Sequence, residues 1–148
     1  MRQRHPTRMW RGFGIGAILL VLAACQAGQP GAPSAPAAPK ADYVTYTDHF
    51  EALQRAGLSA NYQGFIGHLK PSDPAPLLAD LQRSFRGKPF DVYTRRAETG
   101  PVDHRRFVEL RSADGRLYLF LKLDKVPGGW AVADYDLGRN EAVISAKL

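Results

Sequence analysis

Residues 117–123 read LYLFLKL, and the alternation in this stretch decides the fold. Successive side chains of a β-strand point to opposite faces, so every second residue shares a face. One face of this stretch is formed entirely by leucines, whereas the other carries tyrosine, phenylalanine and lysine. The stretch therefore predicts a strand with a buried leucine face. The leucines are Leu117, Leu119, Leu121 and Leu123.

The same two-residue period recurs on both sides of this strand. It is found in residues 90–95, 107–111 and 130–137. Two turn sequences separate the later segments: SADG at 112–115, which contains the Asp-Gly hairpin signal, and VPGG at 126–129. Because short turns connect antiparallel neighbours, an antiparallel meander of at least four strands is predicted. Residues 143–148 are expected to add a fifth strand or to stay frayed.

The residues before this sheet have the period of helices. Apolar side chains recur at near-helical spacing in residues 45–57, 61–69 and 73–86. Thr45 is the expected N-cap of the first helix, with Asp48 in its first turn. Asp73 is the expected N-cap of the last of these helices, with Pro74 at its first helical position.

Helices followed by an antiparallel sheet predict an α+β fold. We expect the helices to pack on one face of a curved meander of four to five strands. The leucine face of residues 117–123 is the best candidate for the covered face, and apolar residues of neighbouring strands should join it. These are Val108, Leu110, Val132 or its neighbours, and Leu137.

The closing strands resemble those of the NTF2-like and cystatin-like proteins. The resemblance lies in residues 117–121, in the sequence GGWAV at 128–132 and in Tyr135. In that group a twisted sheet curls around helices and leaves a cone-shaped cavity. The resemblance therefore implies a cavity within residues 42–140 that holds an apolar ligand or a reactive side chain.

Two residues are candidates for acid or base chemistry, because NTF2-like enzymes use an Asp or His on the inner wall of the cone. They are Asp134 and His104. If Trp130 and Val132 point inwards, Asp134 shares their strand parity and should line the cavity. The alternative is that Asp134 and Asp136 lie near a strand end and pair with arginines in water, such as Arg95 or Arg105. The candidate ligand-binding residues are Trp130, Tyr118, Tyr93 and Asp134.

The start of the chain has the pattern of an export signal. Arginines precede an apolar run at residues 12–24, which ends in Leu22-Ala23-Ala24-Cys25. This pattern resembles the bacterial lipoprotein signal, which implies that residues 1–24 are removed and that Cys25 carries the lipid. Gln26 then implies the outer membrane, facing the periplasm. The alternatives are a simple cleaved signal and a spanning helix, although thirteen residues rise only about 20 Å, short of the bilayer core.

Removal of the signal changes the charge of the chain. Four of the 20 basic residues and none of the 14 acidic residues precede Cys25, which leaves 16 basic residues against 14 acidic ones. Nucleic acid is therefore not an expected partner. Local basic clusters remain at residues 83–88, 95–96 and 105–106, either as solvated faces or as a surface for anionic lipid or peptidoglycan.

The segment between Cys25 and the folded domain is predicted to be a tether. Residues 26–41 are rich in Ala, Gly and Pro, and prolines recur at every third position, which is the period of a polyproline II helix. Residues 25–41 are therefore assigned to a lipidated tether and residues 42–148 to a single α+β domain. The prolines are Pro30, Pro33, Pro36 and Pro39.

No motif of catalysis or of cofactor binding is found in the mature chain. His49, His68 and His104 are separated by 19 and 36 residues, which matches no compact metal-ligand spacing, so neither metal nor cofactor is expected. The sequence predicts a non-catalytic binding or assembly role, with an envelope protein or peptidoglycan as partner. The alternatives are a carrier of an apolar small ligand and, less favoured, a small acid-base enzyme.

Overall fold

The computed structural model describes residues 37–148. The predicted signal, the predicted lipidation site Cys25 and residues 25–36 of the predicted tether lie outside the described residues. The described chain contains helices α1 (Tyr46–Leu58), α2 (Tyr62–Gly67) and α3 (Ala75–Phe85), strands β1 (Asp91–Thr99), β2 (Asp103–Arg111), β3 (Arg116–Val126) and β4 (Gly129–Gly138), and helix α4 (Glu141–Ser145). Within these residues, no helix has the length and apolar content needed to span a bilayer.

The strands form one antiparallel sheet in the order β1-β2-β3-β4, so the predicted α+β fold class is confirmed. The turn between β2 and β3 is closed by a hydrogen bond from the Ser112 amide to the Gly115 carbonyl. The turn between β3 and β4 places Pro127 before Gly128, whose φ of 87° suits the third position of a type II turn. Both turns lie where the sequence predicts them.

The first face of the sheet is the one that α1, α2 and α3 cover. The four leucines of β3 are at most 1% exposed, and Val108 and Leu110 of β2 are fully buried. Large apolar side chains of all three helices pack against them, including Leu53, Phe65 and Phe85. The helices and the leucine face therefore form one continuous core, as the alternation of residues 117–123 predicts.

Helix starts follow local side-chain chemistry. Thr45 caps α1, and the side chain of Asp48 bonds back to the Thr45 amide in a complete capping box. The Asn61 side chain caps α2 by accepting a hydrogen bond from the Gly64 amide. The prediction for α3 was wrong by one residue: the helix begins at Ala75 with Pro74 as its cap, and Asp73 accepts a bond from the Ala75 amide.

The second face of the sheet is covered by α4. Ile144 is 3% exposed and packs against Phe107, Tyr118 and Phe120, with Leu148 at the edge of this cluster. The expectation of a fifth strand in residues 143–148 is therefore wrong. Helix α4 begins where the Asn140 side chain accepts from the Val143 amide, and its Ile144 side chain turns towards the sheet.

A β-bulge in the pairing of β3 with β4 reverses the side-chain parity of β4. Lys122 pairs with Asp134 and Leu123 pairs with Val132, so Ala133 is the extra residue. As a result Val132, Tyr135 and Leu137 all face the helices. Asp134 faces the other side of the sheet. The expectation that Asp134 shares a face with Val132 is therefore wrong.

The chain enters the domain beside the start of β4. Tyr43 forms an isolated antiparallel bridge with Trp130, and the Asp42 amide also donates to the Trp130 carbonyl. Gly129 lies against the Tyr43 carbonyl with a φ of 155°, a combination that leaves no room for a side chain. The ordered packing of the domain thus begins close to residue 42, where the predicted tether ends.

Candidate functional site

The four candidate ligand-binding residues do not lie together. Trp130 is on the helix side, where its ring is 5.5 Å from that of Tyr46. Tyr118 is buried on the second face, stacked on Phe107. Tyr93 also lies on the second face and is 41% exposed, with the guanidinium of Arg111 over its ring. A single ligand therefore cannot contact Trp130 and Tyr118 without crossing the sheet.

Asp134 and Asp136 are not in an enclosed site. Asp134 is exposed, and its carboxylate accepts a hydrogen bond from the Tyr135 amide. Asp136 forms an ion pair with Lys147, which follows α4, at 2.5 Å. The predicted pairing of these acids with Arg95 or Arg105 is also not observed, because Arg95 pairs with Glu109 and Arg105 pairs with Asp103.

His104 is the candidate acid-base residue that the structure does bury. It is 2% exposed and faces the helices from the start of β2. The Nε and Nη2 atoms of Arg106 lie 3.3 and 3.2 Å from His104 Nε2. A guanidinium can only donate, so Nε2 accepts and the imidazole proton resides on Nδ1. That proton is then donated to Thr99 Oγ1, 2.8 Å away.

Both nitrogens of His104 are thus engaged within the protein. Burial, reinforced by the charge of Arg106, lowers the pKa of His104 from 6.5 to about 4, so the ring is neutral at physiological pH. A general base needs a free lone pair within reach of its substrate. In this arrangement the lone pair is occupied by Arg106, and the ring itself is stacked on Tyr46 with centroids 4.1 Å apart.

Arg106 is a buried cation held by neutral groups. It is 9% exposed, and besides His104 it donates to Thr94 Oγ1 at 3.2 Å and lies over the ring of Phe50 at 4.1 Å. Among the described residues, no carboxylate oxygen lies within 4 Å of its guanidinium. The cation–π contact and the His104 lone pair take the place of a counter-ion.

A second polar group lies on the same side, between α1 and the end of α2. His49 is fully buried, and its Nε2–H donates to the His68 carbonyl at 2.9 Å. Tyr43 Oη lies 2.7 Å from His68 Nδ1, and its ring meets His49 edge-on. Burial lowers the pKa of His49 to about 4. Among residues 37–148, His, Asp and Glu side chains form no group of three suited to a metal ion.

The space between the helices and the sheet is filled rather than hollow. Phe65, Phe85 and Phe90 stack or meet edge to face in its centre, and each is at most 2% exposed. Two hollows of the described domain lie outside this space. An apolar hollow of about 490 Å³ lies between α2 and α3, and a polar cleft of about 320 Å³ lies at the opposite end of α3.

Sequence reasoning found His104 and Trp130, which the structure joins through Tyr46. It did not select Tyr46, Arg106 or His49 as residues of this site. The burial of His49 could have been expected from the sequence, because it shares the buried helical face of α1 with Leu53.

Comparison with protein-family models, with characterised proteins and with solved structures gives no match to this chain. The chemistry of the site is therefore inferred from its own geometry.

Proposed function

We propose that this chain is a lipid-anchored protein of the bacterial envelope whose domain binds a partner and performs no chemistry. The proposed anchor is Cys25, and the pattern of residues 22–26 supports an outer-membrane position facing the periplasm. The expected partners are an envelope protein or peptidoglycan. One observation carries the choice of a binding module, namely that aromatic and leucine side chains fill the space where a ligand cavity would lie.

The state of His104 supports the same choice. Its proton and its lone pair are both used by neighbouring side chains, and Asp134 is exposed on the other face of the sheet. An acid-base enzyme would need one of these groups free beside a substrate. With the interior filled, the outer surface of the domain is the part that remains for recognition.

The anchor is tested by the mass of the mature protein. We expect protein purified from membranes to begin at Cys25 and to carry acyl groups, and we expect Cys25→Ser to lose metabolic labelling with a clickable fatty acid. Ala27→Ser, two residues beyond the cysteine, should be labelled as the wild type is. An unacylated wild-type protein, or labelling that survives Cys25→Ser, would overturn the proposed anchor.

Binding is tested by photo-crosslinking in cells from exposed positions on different sides of the domain. Suitable positions are Tyr93 on the second sheet face, Val102 in the β1–β2 loop and Leu58 at the end of α1, which are 41, 66 and 58% exposed. A binding module should give a discrete adduct from one side and none from the others. The absence of an adduct from every side would contradict the proposal.

A second candidate function is carriage of an apolar ligand, and the groove between α2 and α3 favours it. The groove is lined mainly by apolar residues, among them Ile66, Pro71 and Leu78. A Cβ added at Gly67 would meet no atom within 4 Å, so the backbone there accepts a side chain, and Gly67→Trp should place its ring in the groove and block it. Native mass spectrometry should then show a co-purified small molecule on the wild type and on the control Leu58→Trp, but not on Gly67→Trp.

A further inference from the structure

The cleft at the C-terminal end of α3 is unusually rich in arginine. Four arginines from separate parts of the fold line it, together with Ser84, Asp114 and Gly115. The end of α3 supplies two of these arginines, the start of β3 supplies one, and the residue after β4 supplies the last. They are Arg83, Arg86, Arg116 and Arg139.

Most acidic side chains around the cleft already have a cationic partner. Arg83 pairs with Asp80 at 3.2 Å, and Lys88 pairs with Asp114 at 2.8 Å. Arg116 lies 2.8 Å from the carboxylate of Glu109. The positive surroundings hold the pKa of Asp114 below its usual value, first through the Lys88 hydrogen bond and then through the charges of Lys88 and Arg86.

Arg86 and Arg139 are the two arginines of the cleft whose positive charge no neighbouring carboxylate balances. Within residues 37–148, neither has a carboxylate oxygen within 4 Å. Arg139 Nη2 donates to Ser84 Oγ at 3.3 Å, which holds its guanidinium at the cleft wall. Ser84 is 6% exposed and accepts this bond, so its own hydroxyl proton can be donated to a group in the cleft.

We propose that this cleft binds a phosphate dianion, either inorganic phosphate or the terminal phosphate of a monoester. Two unpaired guanidinium groups match the charge of a dianion. A phosphate also presents enough oxygens to accept from Arg86, Arg139 and Ser84 together, whereas a carboxylate presents only two oxygens and a single negative charge. The inference rests on the proposed binding function and names the chemical class of one ligand.

The test is titration of the full-length protein, purified in a non-ionic detergent, with glycerol 3-phosphate, inorganic phosphate, dimethyl phosphate and acetate. Arginine Nε–H resonances report the contacts. We expect the two dianions to bind and to shift the Arg86 and Arg139 signals. Dimethyl phosphate has the single charge of the phosphodiester in a phospholipid headgroup. It should bind more weakly than the two dianions, and so should acetate. Equal or tighter binding of either monoanion would overturn the proposal.

Two variants remove the charge without disturbing the fold. Arg86 has a φ of 53°, and asparagine tolerates this left-handed conformation, so Arg86→Asn should fold normally. Arg139→Gln keeps an N–H donor for Ser84. Each should weaken glycerol 3-phosphate binding about tenfold. Lys125→Gln removes a charge at the other end of β3, about 30 Å from Arg116, and should change binding less than twofold.

The result is independent of the envelope tests. If both charge variants bind glycerol 3-phosphate as the wild type does, or if the wild type shows no binding, the phosphate cleft is overturned. The acylation of Cys25 and the crosslinking pattern are measured separately, in cells. Failure of those two tests would overturn the proposed function and leave the titration result standing.

Discussion

Two nitrogens of Arg106 donate to a single nitrogen of His104, two residues earlier on β2: the Nε and Nη2 atoms of the guanidinium lie 3.3 and 3.2 Å from Nε2 of the imidazole. Both side chains are buried under α1. Because Arg106 always carries a positive charge, the contact exists only while His104 is neutral. Protonation of His104 would break the bond and place two cations in contact.

The first prediction is that acid destabilises the fold through its buried histidines. The pKa of both His49 and His104 is lowered from 6.5 to about 4, mainly by burial. Well above pH 6.5 the two histidines are neutral in the folded and in the unfolded chain alike, so they do not change the free energy of unfolding. As the pH falls towards 4, the unfolded chain binds protons that the folded chain does not, so each histidine removes up to about 3 kcal/mol of the free energy of unfolding.

Urea unfolding between pH 7.5 and 4.5 measures this loss, and His104→Gln is the matched variant. Glutamine offers one acceptor for Arg106 and one donor for Thr99 but does not titrate. Carboxylates titrate equally in both proteins and contribute the same loss to each. Of the loss that the two histidines cause in the wild type, His104→Gln should keep roughly half, because only His49 still titrates in it. If the wild type and His104→Gln respond identically to pH, the assignment of a neutral, hydrogen-bonded His104 is incorrect.

The second prediction concerns the buried carboxylate of Glu109 on the second sheet face. Glu109 is 3% exposed, whereas its partners Arg95 and Arg116 are 51 and 52% exposed. Arg95 donates to Oε2 at 2.9 Å; Arg116 approaches Oε1 at 2.8 Å but is not aligned for a hydrogen bond. Glu109→Gln should therefore cost about 2 kcal/mol.

Removal of either arginine should cost less, about 1 kcal/mol or below, because the remaining arginine still faces the carboxylate and water reaches the site. Thermal unfolding of Glu109→Gln, Arg95→Gln and Arg116→Gln would establish this order. A Glu109→Gln protein as stable as the wild type would mean that the buried charge contributes nothing to folding.

The part of the fold that local pattern determines could be predicted from the sequence. Residues 117–123 gave the central strand and its buried face because alternation is a property of the strand itself. The bulge at Ala133 was not predicted, yet Val132 and Leu137 are an odd number of residues apart, and both face the helices. Two apolar residues at odd spacing share a face only if a residue is inserted, so their spacing contained the signal.

The candidate site depended on contacts that no local pattern contains. His104 and Trp130 could be selected as residue types, but Tyr46, which lies between their rings, comes from a helix far away in the sequence. The basic cluster at residues 83–88 was visible as a charge run. Arg139, which completes the cleft, was not, because it joins the cluster only when β4 ends beside α3.

The third prediction compares two helical glycines. A Cβ added at Gly57 would lie 2.8 Å from the Phe90 carbonyl oxygen, and the Phe90 amide itself donates to the Gly57 carbonyl. Gly57→Ala should therefore lose about 2 kcal/mol through overpacking. Gly67 has open space around it, so Gly67→Ala should raise stability by about 0.5 kcal/mol, since alanine loses less backbone entropy on folding. Denaturant midpoints that move in the same direction for both variants would contradict this packing.

The fourth prediction tests whether α4 belongs to the domain. Ile144 is 3% exposed against Phe107, Tyr118 and Phe120, whereas the adjacent Val143 is 56% exposed. Both are β-branched residues of the same short helix, so they differ mainly in burial. Ile144→Ala should destabilise the domain by about 3 kcal/mol through the cavity that it leaves on the second face of the sheet. Val143→Ala should be neutral or slightly stabilising, because alanine is the better helix former.

Hydrogen exchange of the Phe107 and Phe120 amides measures the same contact locally. If α4 protects that face of the sheet, exchange of these amides should accelerate in Ile144→Ala and not in Val143→Ala.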